Sequence, residues 1–342
     1  MKKQKPKFNI ITGKTVHDTI FFNPSKTIDI IEQAYIQHFQ GRTVNPNSSF
    51  LHFPDNPQAR IISLPAHISG DKPISGIKWI ASYPSNIQHD LPRASAVLLL
   101  NDAQTGYPLA CLEASIISAA RTAASAVLAA YHLKKQKRSI SSLGIIGTGV
   151  IASYVLEFFT QTGWDIGQIY LYDLEAKYSQ NFSAQKQQSG NCKVKIGNSW
   201  QEVIENSDVV VLTTTAATPY ISDPDILKHK PILLNLSLRD LGVDIIKNSY
   251  NLVDDINHVL QANTSLHLAQ KERGNHDFIN ATLPDVLANK KKIVTSKPIV
   301  FSPFGMGILD LALGQYIYET ALQNGNAIKI NNFFFQVDRK LS

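Results

Sequence analysis

The sequence contains little cysteine and no long apolar run. Only two of its 342 residues are cysteine, Cys111 and Cys192, and they fall in different predicted domains. This pattern excludes a disulfide framework and favours a reducing compartment, so we expect a cytoplasmic protein. Because no run of about 18 apolar residues occurs, we expect no transmembrane helix and no membrane partner. The N-terminal lysines are not followed by an apolar segment, which argues against a signal peptide.

The charge balance is only moderately basic. Lys and Arg number 33 against 27 Asp and Glu, which gives a formal net charge of +6. The short basic clusters Lys134–Arg138 and Lys290–Lys292 lie at predicted element ends, where cations suit helix C-termini. No nucleic-acid-reading motif accompanies them, so we predict no nucleic-acid partner. A positive balance does help to attract a polyanionic substrate.

The chain is organised around a glycine-rich stretch. The apolar run Leu143–Ile146 is followed at once by Gly147-x-Gly149-x-x-Ala152, and then by a helical pattern. A dinucleotide phosphate site needs this order, because the first glycine permits the turn and the second lets the backbone approach a pyrophosphate. Ala152 lets the helix pack close to the strand. The predicted cofactor contacts here are Gly147, Thr148, Gly149, Val150 and Ile151.

A second feature strengthens the nucleotide prediction. Ile169–Asp173 is a strand that ends in an acid, 26 residues after Gly147. Asp173 can accept hydrogen bonds from both ribose hydroxyls of NAD and would repel the 2′-phosphate of NADP. Two alternatives remain. The motif could be a chance glycine turn with a helix-capping Asp, or the nucleotide site of a methyltransferase, which shares part of the pattern.

The coarse pattern predicts two domains, as the length suggests. The first region carries strand candidates that favour an antiparallel α+β unit, whereas the second alternates strands with helices and favours a Rossmann-type, doubly wound parallel sheet. The fold class is therefore α/β. We place the first domain at 1–125 with 310–342 and the NAD-binding domain at 139–309. The strand candidates are 60–64, 75–81, 96–101 and 107–112 in the first region, and 143–147, 168–172, 193–196, 208–213, 231–236, 250–253 and 298–302 in the second.

Two cations stand in unusual places. Lys78 lies mid-strand between large apolar residues, and a buried ammonium needs a partner. It is either an edge-strand lysine that reaches water or a pocket lysine that pairs with a carboxylate. Arg121 lies in the middle of an Ala-rich helix predicted over 113–133. It either pairs with a protein carboxylate or holds a ligand carboxylate bidentately.

Polar residues follow two predicted strands of the parallel sheet. Asp240 lies just past the strand 231–236, where a nicotinamide ring and a substrate would meet, although it could instead cap the next helix. Thr214 and Thr215 end the strand 208–213. We predict them as cofactor contacts, with capping and turn roles as the alternative.

Several blocks of the sequence together resemble the ornithine cyclodeaminase/mu-crystallin family, over nearly the whole chain. Within it, the sequence is most similar to the 2,3-diaminopropionate biosynthesis dehydrogenases of siderophore pathways, of the staphyloferrin B type. The blocks that carry the family resemblance are Gly76–Trp79, the hairpin Asn101–Pro108, Arg121–Ala124, the glycine motif and Ser302–Asp310. Those that carry the closer likeness are 59–68, 74–80, 93–95, 112–115 and 302–307.

The resemblance implies a particular reaction. The substrate would be N-(1-amino-1-carboxy-2-ethyl)-L-glutamate, which is also written N-(2-amino-2-carboxyethyl)-L-glutamate and is called ACEGA below. NAD would oxidise it to an imine, and hydrolysis would release L-2,3-diaminopropionate and 2-oxoglutarate for siderophore or other secondary-metabolite biosynthesis. The resemblance also implies a homodimer built through the first domain, which would bind the substrate as well.

The family match assigns roles to individual residues. Lys78 and Arg121 fall on substrate-binding positions, and Asp240 falls on the position of the catalytic acid, with Lys78 beside it as a second catalytic residue. ACEGA is a tricarboxylate, so Arg60 and Arg93 are further candidates for carboxylate binding. Ser237 and Gly305 complete the predicted cofactor contacts. No metal is predicted.

The sequence departs from the family pattern at two places. Ornithine cyclodeaminases follow the catalytic Asp with Cys-Pro-Gly-Lys, whereas here Asp240 is followed by Leu241–Asp244, which argues against cyclisation of ornithine. The early arginine of the family has no clear counterpart, and His52 or Asn47 lies about there.

Two other functions compete with the diaminopropionate-forming dehydrogenase. One is another imine-handling NAD(P) oxidoreductase of the family, such as a ketimine reductase, an alanine dehydrogenase or an opine-type dehydrogenase. The other is a non-catalytic, mu-crystallin-like ligand-binding protein. Retention of Lys78, Arg121 and Asp240 together favours an enzyme, because a binding protein would be free to lose the acid.

Overall fold

The computed structural model describes residues 6–187, 193–293 and 296–335, so Cys192 lies outside the described residues. The chain forms two compact units, Met1–Arg121 with Met306–Ser342, and Thr122–Gly305, which we call unit 1 and unit 2. The strands are β1 (Phe8–Ile11), β2 (Thr43–Val44), β3 (Ser49–Phe53), β4 (Asn56–Ile68), β5 (Ile74–Ser82), β6 (Ala94–Asp102), β7 (Pro108–Glu113), β8 (Ser139–Ile146), β9 (Asp165–Tyr172), β10 (Lys193–Ile196), β11 (Val209–Leu212), β12 (Ile232–Asn235), β13 (Tyr250–Val253), β14 (Ile279–Thr282), β15 (Ile299–Ser302) and β16 (Ile328–Ile330). The helices are α1 (Gly13–Phe22), α2 (Pro24–Phe39), α3 (Ser115–Leu133), α4 (Val150–Gln161), α5 (Ala176–Gln187), α6 (Trp200–Glu205), α7 (Val243–Asn248), α8 (Ile256–Val259), α9 (Ser265–Arg273), α10 (Leu283–Leu287) and α11 (Gly307–Gln323).

Unit 1 is built on an eight-stranded sheet in the order β16-β1-β7-β6-β5-β4-β2, with β3 also paired to β4. The four predicted strands, β4 to β7, are antiparallel neighbours. The sheet is nevertheless mixed and not purely antiparallel, because β1 runs parallel to β7. The sequence analysis did not find β1, which is only four residues long and lies in a polar stretch.

The register of this sheet decides where Lys78 points. Lys78 lies between Leu64 on β4 and Leu98 on β6, and both leucines are buried. Because neighbouring residues in register share a face, Lys78 faces the core, which α11 covers by packing on β4, β5 and β6. Trp79, the next residue, faces the opposite side and is 44% exposed.

Unit 2 is the predicted doubly wound sheet. Its eight strands are all parallel, in the order β10-β9-β8-β11-β12-β15-β13-β14, which confirms the predicted fold class. The strand order reverses direction at β8. This strand pairs with β9 on one side and with β11 on the other. Sheets of this kind bind ligands beyond the carboxyl ends of the strands at such a switch point.

Helix α3 is long and apolar enough by composition to cross a membrane, with a mean hydropathy of 1.2 in its most apolar window. However, 67% of that window is buried inside the protein. Burial of this kind is typical of a core helix, and the small side chains of this helix explain it, because a slim helix packs closely on several sides.

Candidate active site

The glycine loop between β8 and α4 is locked against the end of β11. Gly147 has φ +85°, and a Cβ there would lie 2.7 Å from the carbonyl oxygen of Thr213. The Thr213 hydroxyl donates to the Gly147 carbonyl at 2.6 Å. Only glycine fits this conformation and this approach, so Gly147 fixes the path of the loop. The sequence analysis predicted Thr214 and Thr215 but missed Thr213, which lies one residue earlier.

The N-terminus of α4 is open where a pyrophosphate would bind. Gly149 is the N-cap and supplies no side-chain acceptor to the first turn. A Cβ on Gly149 would meet no atom within 4 Å, and Val150 is 63% exposed. Free N–H groups, the helix dipole and this open space suit a phosphate group. The residues present therefore fit a bound dinucleotide.

Asp173 is tied to the same loop. One of its carboxylate oxygens accepts from the Thr148 backbone N–H at 2.7 Å and from the Thr148 hydroxyl at 2.9 Å. Its other oxygen accepts from the Glu175 N–H at 3.3 Å. The acid thus stands at the carboxyl end of β9 beside the glycine loop, where ribose hydroxyls would compete for its oxygens.

Asp240 is buried among hydroxyl groups. Its side chain has no exposed surface, and Oδ1 accepts from the Thr214 hydroxyl at 2.5 Å while Oδ2 accepts from Ser237. The N-cap of α7 is Gly242, so Asp240 does not cap that helix. Two residues predicted as cofactor contacts, Thr214 and Ser237, therefore hold the Asp240 carboxylate, whereas Thr215 is exposed.

Tyr220 is a neighbour of Asp240 that the sequence did not indicate. Its ring packs edge-to-face on Trp200, with centroids 5.4 Å apart. Burial and then the nearby Asp240 charge raise the pKa of Tyr220, which keeps the phenol neutral. Within the described part of the chain its hydroxyl is buried and makes no hydrogen bond of ordinary geometry. A neutral hydroxyl therefore lies close to the acid.

In unit 1, Lys78 and Arg121 share one carboxylate. The Lys78 ammonium lies 2.7 Å from Asp310 Oδ2, and the Arg121 Nε lies 3.3 Å from Oδ1. The Lys78 ammonium also donates to the Ser118 hydroxyl at 3.1 Å. Lys78 is 1% exposed and Asp310 is fully buried. Arg121, at 12%, is the more accessible of the two cations.

The charges of this cluster act on the pKa of Lys78. Burial lowers the pKa of Lys78 to about 8, with the Asp310 charge opposing the shift and the Arg121 charge adding to it. Both cations contact Asp310, and cationic side chains of these two types also bind carboxylates of ligands. Arg121 thus has a protein carboxylate as a partner, Asp310, and its role toward a ligand stays a prediction. The sequence analysis quoted Asp310 within a motif but did not name it as a site residue.

Arg60 and Arg93 lie at one end of the same sheet. Arg60 is opposite Ser82 on β5, and Arg93 precedes Ala94, which also pairs with Ser82. This row lies four residues from the row of Lys78, or about 13 Å along the strands. Burial lowers the pKa of the Arg60 guanidinium. The register thus separates these arginines from the Lys78 row.

The two residues that lie near the position of the early family arginine are in different elements. His52 lies on β3 opposite Arg60, stacked on Phe50 at a centroid distance of 6.0 Å. Asn47 is exposed in the loop between β2 and β3. Its neighbour Asn45, which the sequence analysis did not name, accepts from the Ile308 N–H in the first turn of α11 at 3.2 Å.

Gly305 is held by a buried acid. Asp254, at the end of β13, accepts from the Gly305 N–H at 2.6 Å and from the Phe304 N–H at 2.9 Å. Burial raises the pKa of Asp254, and these backbone bonds oppose that shift. Gly305 has φ +94°, so the loop needs glycine there. The role of Asp254 is to fix this loop at the carboxyl end of β15.

The sequence matches the profile of the ornithine cyclodeaminase/mu-crystallin family over residues 9–325. The chain belongs to this family. It is 30% identical to the N-((2S)-2-amino-2-carboxyethyl)-L-glutamate dehydrogenase of Staphylococcus aureus, over 89% of this chain and 92% of that protein. The family predicted from the sequence blocks is therefore confirmed.

Two solved structures of similar proteins share the fold over almost the whole chain. The Delta(1)-pyrroline-2-carboxylate reductase of Thermococcus litoralis, in complex with NADH and L-proline, has a TM-score of 0.86 at 25% identity, covering 94% of this chain and 99% of that one. An archaeal alanine dehydrogenase dimer with bound NAD has a TM-score of 0.84 at 26% identity, covering 96% and 100%.

Other features of the described residues lie apart from the predicted site. A surface cavity of about 320 Å³ in unit 2 is lined by Trp200, Gln201, Glu205, Asp223, Asp225 and Ile226, and includes none of the predicted site residues. Among the described residues, no group of three or more His, Cys, Asp or Glu side chains could hold a metal ion. Cys111 is a half-buried free thiol whose pKa burial raises.

Proposed function

We propose that this member of the family oxidises ACEGA with NAD to give L-2,3-diaminopropionate and 2-oxoglutarate, as a step in siderophore or other secondary-metabolite biosynthesis. The observation that carries the proposal is the buried Lys78–Arg121–Asp310 cluster, in which two cations face one protein carboxylate. Such a cluster suits a substrate rich in carboxylates. The particular substrate is taken from the name of the Staphylococcus aureus relative.

The coarser assignment is an NAD-dependent oxidoreductase that acts on a carbon–nitrogen bond. Its support is the open N-terminus of α4, the position of Asp173, and the likeness to a reductase solved with NADH and a dehydrogenase solved with NAD. When bound, NAD supplies the acceptor for the hydride. We assign its binding to unit 2 and substrate binding to unit 1.

The remaining chemistry falls to side chains of this protein. Lys78 and Arg121 hold carboxylates of the substrate and so orient the glutamate Cα–H bond. As that hydride leaves, the secondary amine loses its proton to Asp240, and a carbon–nitrogen double bond forms. Water then adds to the imine carbon, and Asp240 returns the proton to the departing nitrogen as the C–N bond breaks. In total the reaction consumes one water molecule, transfers one hydride to NAD and releases one proton.

A pyrroline-carboxylate or other ketimine reductase is the second candidate. The structural likeness to the Thermococcus litoralis reductase favours it, because the match covers nearly the full length of both chains and that enzyme is solved with NADH and an amino acid. The reductase reaction differs from the proposed one because it forms the amine from the imine and needs no water for hydrolysis. A ligand-binding protein that has lost catalysis is the third.

We further propose that the protein works as a cytoplasmic homodimer joined through unit 1. Leu51, Trp79 and Val97 project from one face of the sheet and are 46%, 44% and 40% exposed. An apolar face of this kind on a soluble protein marks an association surface. Sedimentation should give twice the 37.9 kDa mass of one chain, and Trp79→Lys should halve it. A wild-type monomer would contradict this proposal.

The function is tested by following NADH formation from NAD and ACEGA, with ornithine, alanine and proline as competing substrates. Turnover of ACEGA alone, with both expected products, supports the proposal. Activity only with cyclic imines and NADH would favour the reductase. Tight NADH binding without any turnover would favour the binding protein.

Asp240→Asn tests the catalytic assignment in the same assay. We expect turnover to fall by at least about 100-fold with NAD binding unchanged, since the amide cannot take the proton. Asp244→Asn is the matched control, because that carboxylate lies four residues on and its side chain is 67% exposed. Activity that survives in Asp240→Asn would remove Asp240 from the mechanism.

A further inference from the structure

The loop that carries Asp240 has a strained backbone. Leu238 has φ +73°, in the left-handed region that a branched side chain strongly disfavours. The other described non-glycine residues with positive φ are polar residues or alanine. Strain of this kind costs about 1–3 kcal/mol and persists only where the surroundings hold it. The contacts of this loop therefore show what fixes the acid.

Ser265, the first residue of α9, forms hydrogen bonds with the loop on both sides of Asp240. We call these two bonds the brace. The Ser265 N–H donates to the Leu238 carbonyl at 2.8 Å, and the Ser265 hydroxyl accepts from the Leu241 N–H at 3.2 Å. Ser265 thus uses its own backbone and its side chain on two residues that flank Asp240. Its side chain is fully buried, so water does not replace these bonds.

A third bond extends this brace. Arg239 Nη2 donates to the Ala262 carbonyl at 2.6 Å. Ala262 and Asn263 themselves have φ of +52° and +53°, so the bracing segment is also held in left-handed backbone. On the opposite side, the Tyr220 and Ile221 N–H groups both donate to the Asp240 carbonyl at 3.0 Å. The backbone of Asp240 is fixed from two directions.

We propose that Ser265 is a positioning residue for Asp240: it holds Leu238 and Leu241 so that the carboxylate between them keeps the geometry that proton transfer requires. The role in turnover rests on the proposed function, whereas the brace itself does not. Ser265 touches neither substrate nor cofactor in this assignment. It acts only through the backbone of the acid.

The test compares two neighbouring buried hydroxyls. Ser265→Ala leaves the Leu241 N–H without its acceptor, so we expect kcat with ACEGA to fall about 10- to 100-fold, as for a catalytic group displaced by about 1 Å. The KM for NAD should not change. Ser265→Thr keeps the hydroxyl and should restore most of the rate.

Thr264→Ala is the matched control. Thr264 is also fully buried, but its hydroxyl accepts from the His267 N–H at 3.1 Å and donates to the Val259 carbonyl, so it caps α9 without touching the Asp240 loop. Its loss should lower stability while kcat stays within about twofold. Equal loss of kcat in Thr264→Ala and Ser265→Ala would overturn the positioning role.

Hydrogen–deuterium exchange gives a readout independent of turnover. In Ser265→Ala, amides of 238–241 should exchange faster, whereas in Thr264→Ala the change should fall at 267 and 268. Unchanged exchange at 238–241 would overturn the brace. If wild-type protein binds NADH but does not turn over ACEGA, the proposed function fails, and exchange alone decides the brace. Should Ser265→Ala not fold, Arg239→Ala removes the bond to the Ala262 carbonyl and should speed exchange of the same amides.

Discussion

Replacing Asp310 by asparagine tests the charge cluster of unit 1 directly. The substitution keeps the shape of the side chain but removes the negative charge that faces both Lys78 at 2.7 Å and Arg121 at 3.3 Å. The buried Lys78 ammonium then loses the carboxylate that faces it, and Arg121 loses the same contact. Lys78 keeps only its bond to the Ser118 hydroxyl among the contacts described above.

The size of the effect follows from the burial of the pair. Removing one partner of a buried ion pair costs about 3–5 kcal/mol, because it leaves an uncompensated charge. The pKa of Lys78 is already lowered from 10.5 to about 8, which makes the charged form cost about 3 kcal/mol in the folded protein at neutral pH. Without Asp310 that pKa falls further. We expect the free energy of unfolding at pH 7 to drop by about 3 kcal/mol.

The pH dependence gives a second, sharper expectation. Between pH 8 and 10.5 the unfolded chain binds more protons at Lys78 than the folded chain does, so this group makes stability rise with pH across that window. In the variant the rise begins below pH 8. The part of the destabilisation that comes from Lys78 should therefore shrink as the pH is raised from 7 to 9, where the lysine becomes neutral in both proteins.

Urea unfolding followed by circular dichroism measures both effects. Glu319→Gln is the control on the same helix, because it breaks the exposed Lys72–Glu319 pair of nearly equal length, 2.8 Å, and should cost at most about 1 kcal/mol. The double variant Lys78→Met/Asp310→Asn removes the orphaned ammonium and should recover part of the loss. If Asp310→Asn costs no more than Glu319→Gln, the cluster does not hold buried charge in the way described.

Two further predictions concern the nucleotide unit. Asp173→Ser removes the carboxylate that would repel a 2′-phosphate, so the ratio of kcat/KM for NAD over NADP should fall about tenfold or more. An unchanged ratio would contradict the role of Asp173. Gly149→Ala adds a Cβ that meets nothing within 4 Å, so NAD binding should weaken while the thermal stability of the cofactor-free protein stays unchanged. Gly147→Ala should instead destabilise the protein itself. Wild-type NAD affinity in Gly149→Ala would mean that no pyrophosphate binds there.

The parallel sheet was the most predictable part of the fold. Strands buried on both faces form continuous apolar runs, as Val209–Leu212 does, and such runs stand out without any knowledge of their neighbours. β14 (Ile279–Thr282) was missed because its four residues are Ile, Asn, Ala and Thr. Helix α1 was missed as well, although its buried Val16 and Ile20 stand at helical spacing and Thr12 caps it.

The site residues were predictable by type and not by partner. Lys78 was recognised as an ammonium in need of a carboxylate, but the carboxylate lies on α11, 232 positions later, and only the packing of that helix on β5 brings it there. The residues that surround Asp240 come from three separate loops. Thr214, Ser237 and Tyr220 carry ordinary hydroxyls, and no spacing in the sequence connects them.

The two buried aspartates differ in the partners they are given, and the difference fits their proposed roles. Asp310 faces an ammonium and a guanidinium, which can only donate, so a proton on this carboxylate would have no acceptor among them. Asp240 faces the hydroxyls of Thr214 and Ser237, which can either donate or accept. A proton that arrives on Asp240 can therefore be accommodated by rotation of a hydroxyl, with every partner retained. These partners fit the proposal that Asp240 transfers a proton, whereas Asp310 contacts two cations.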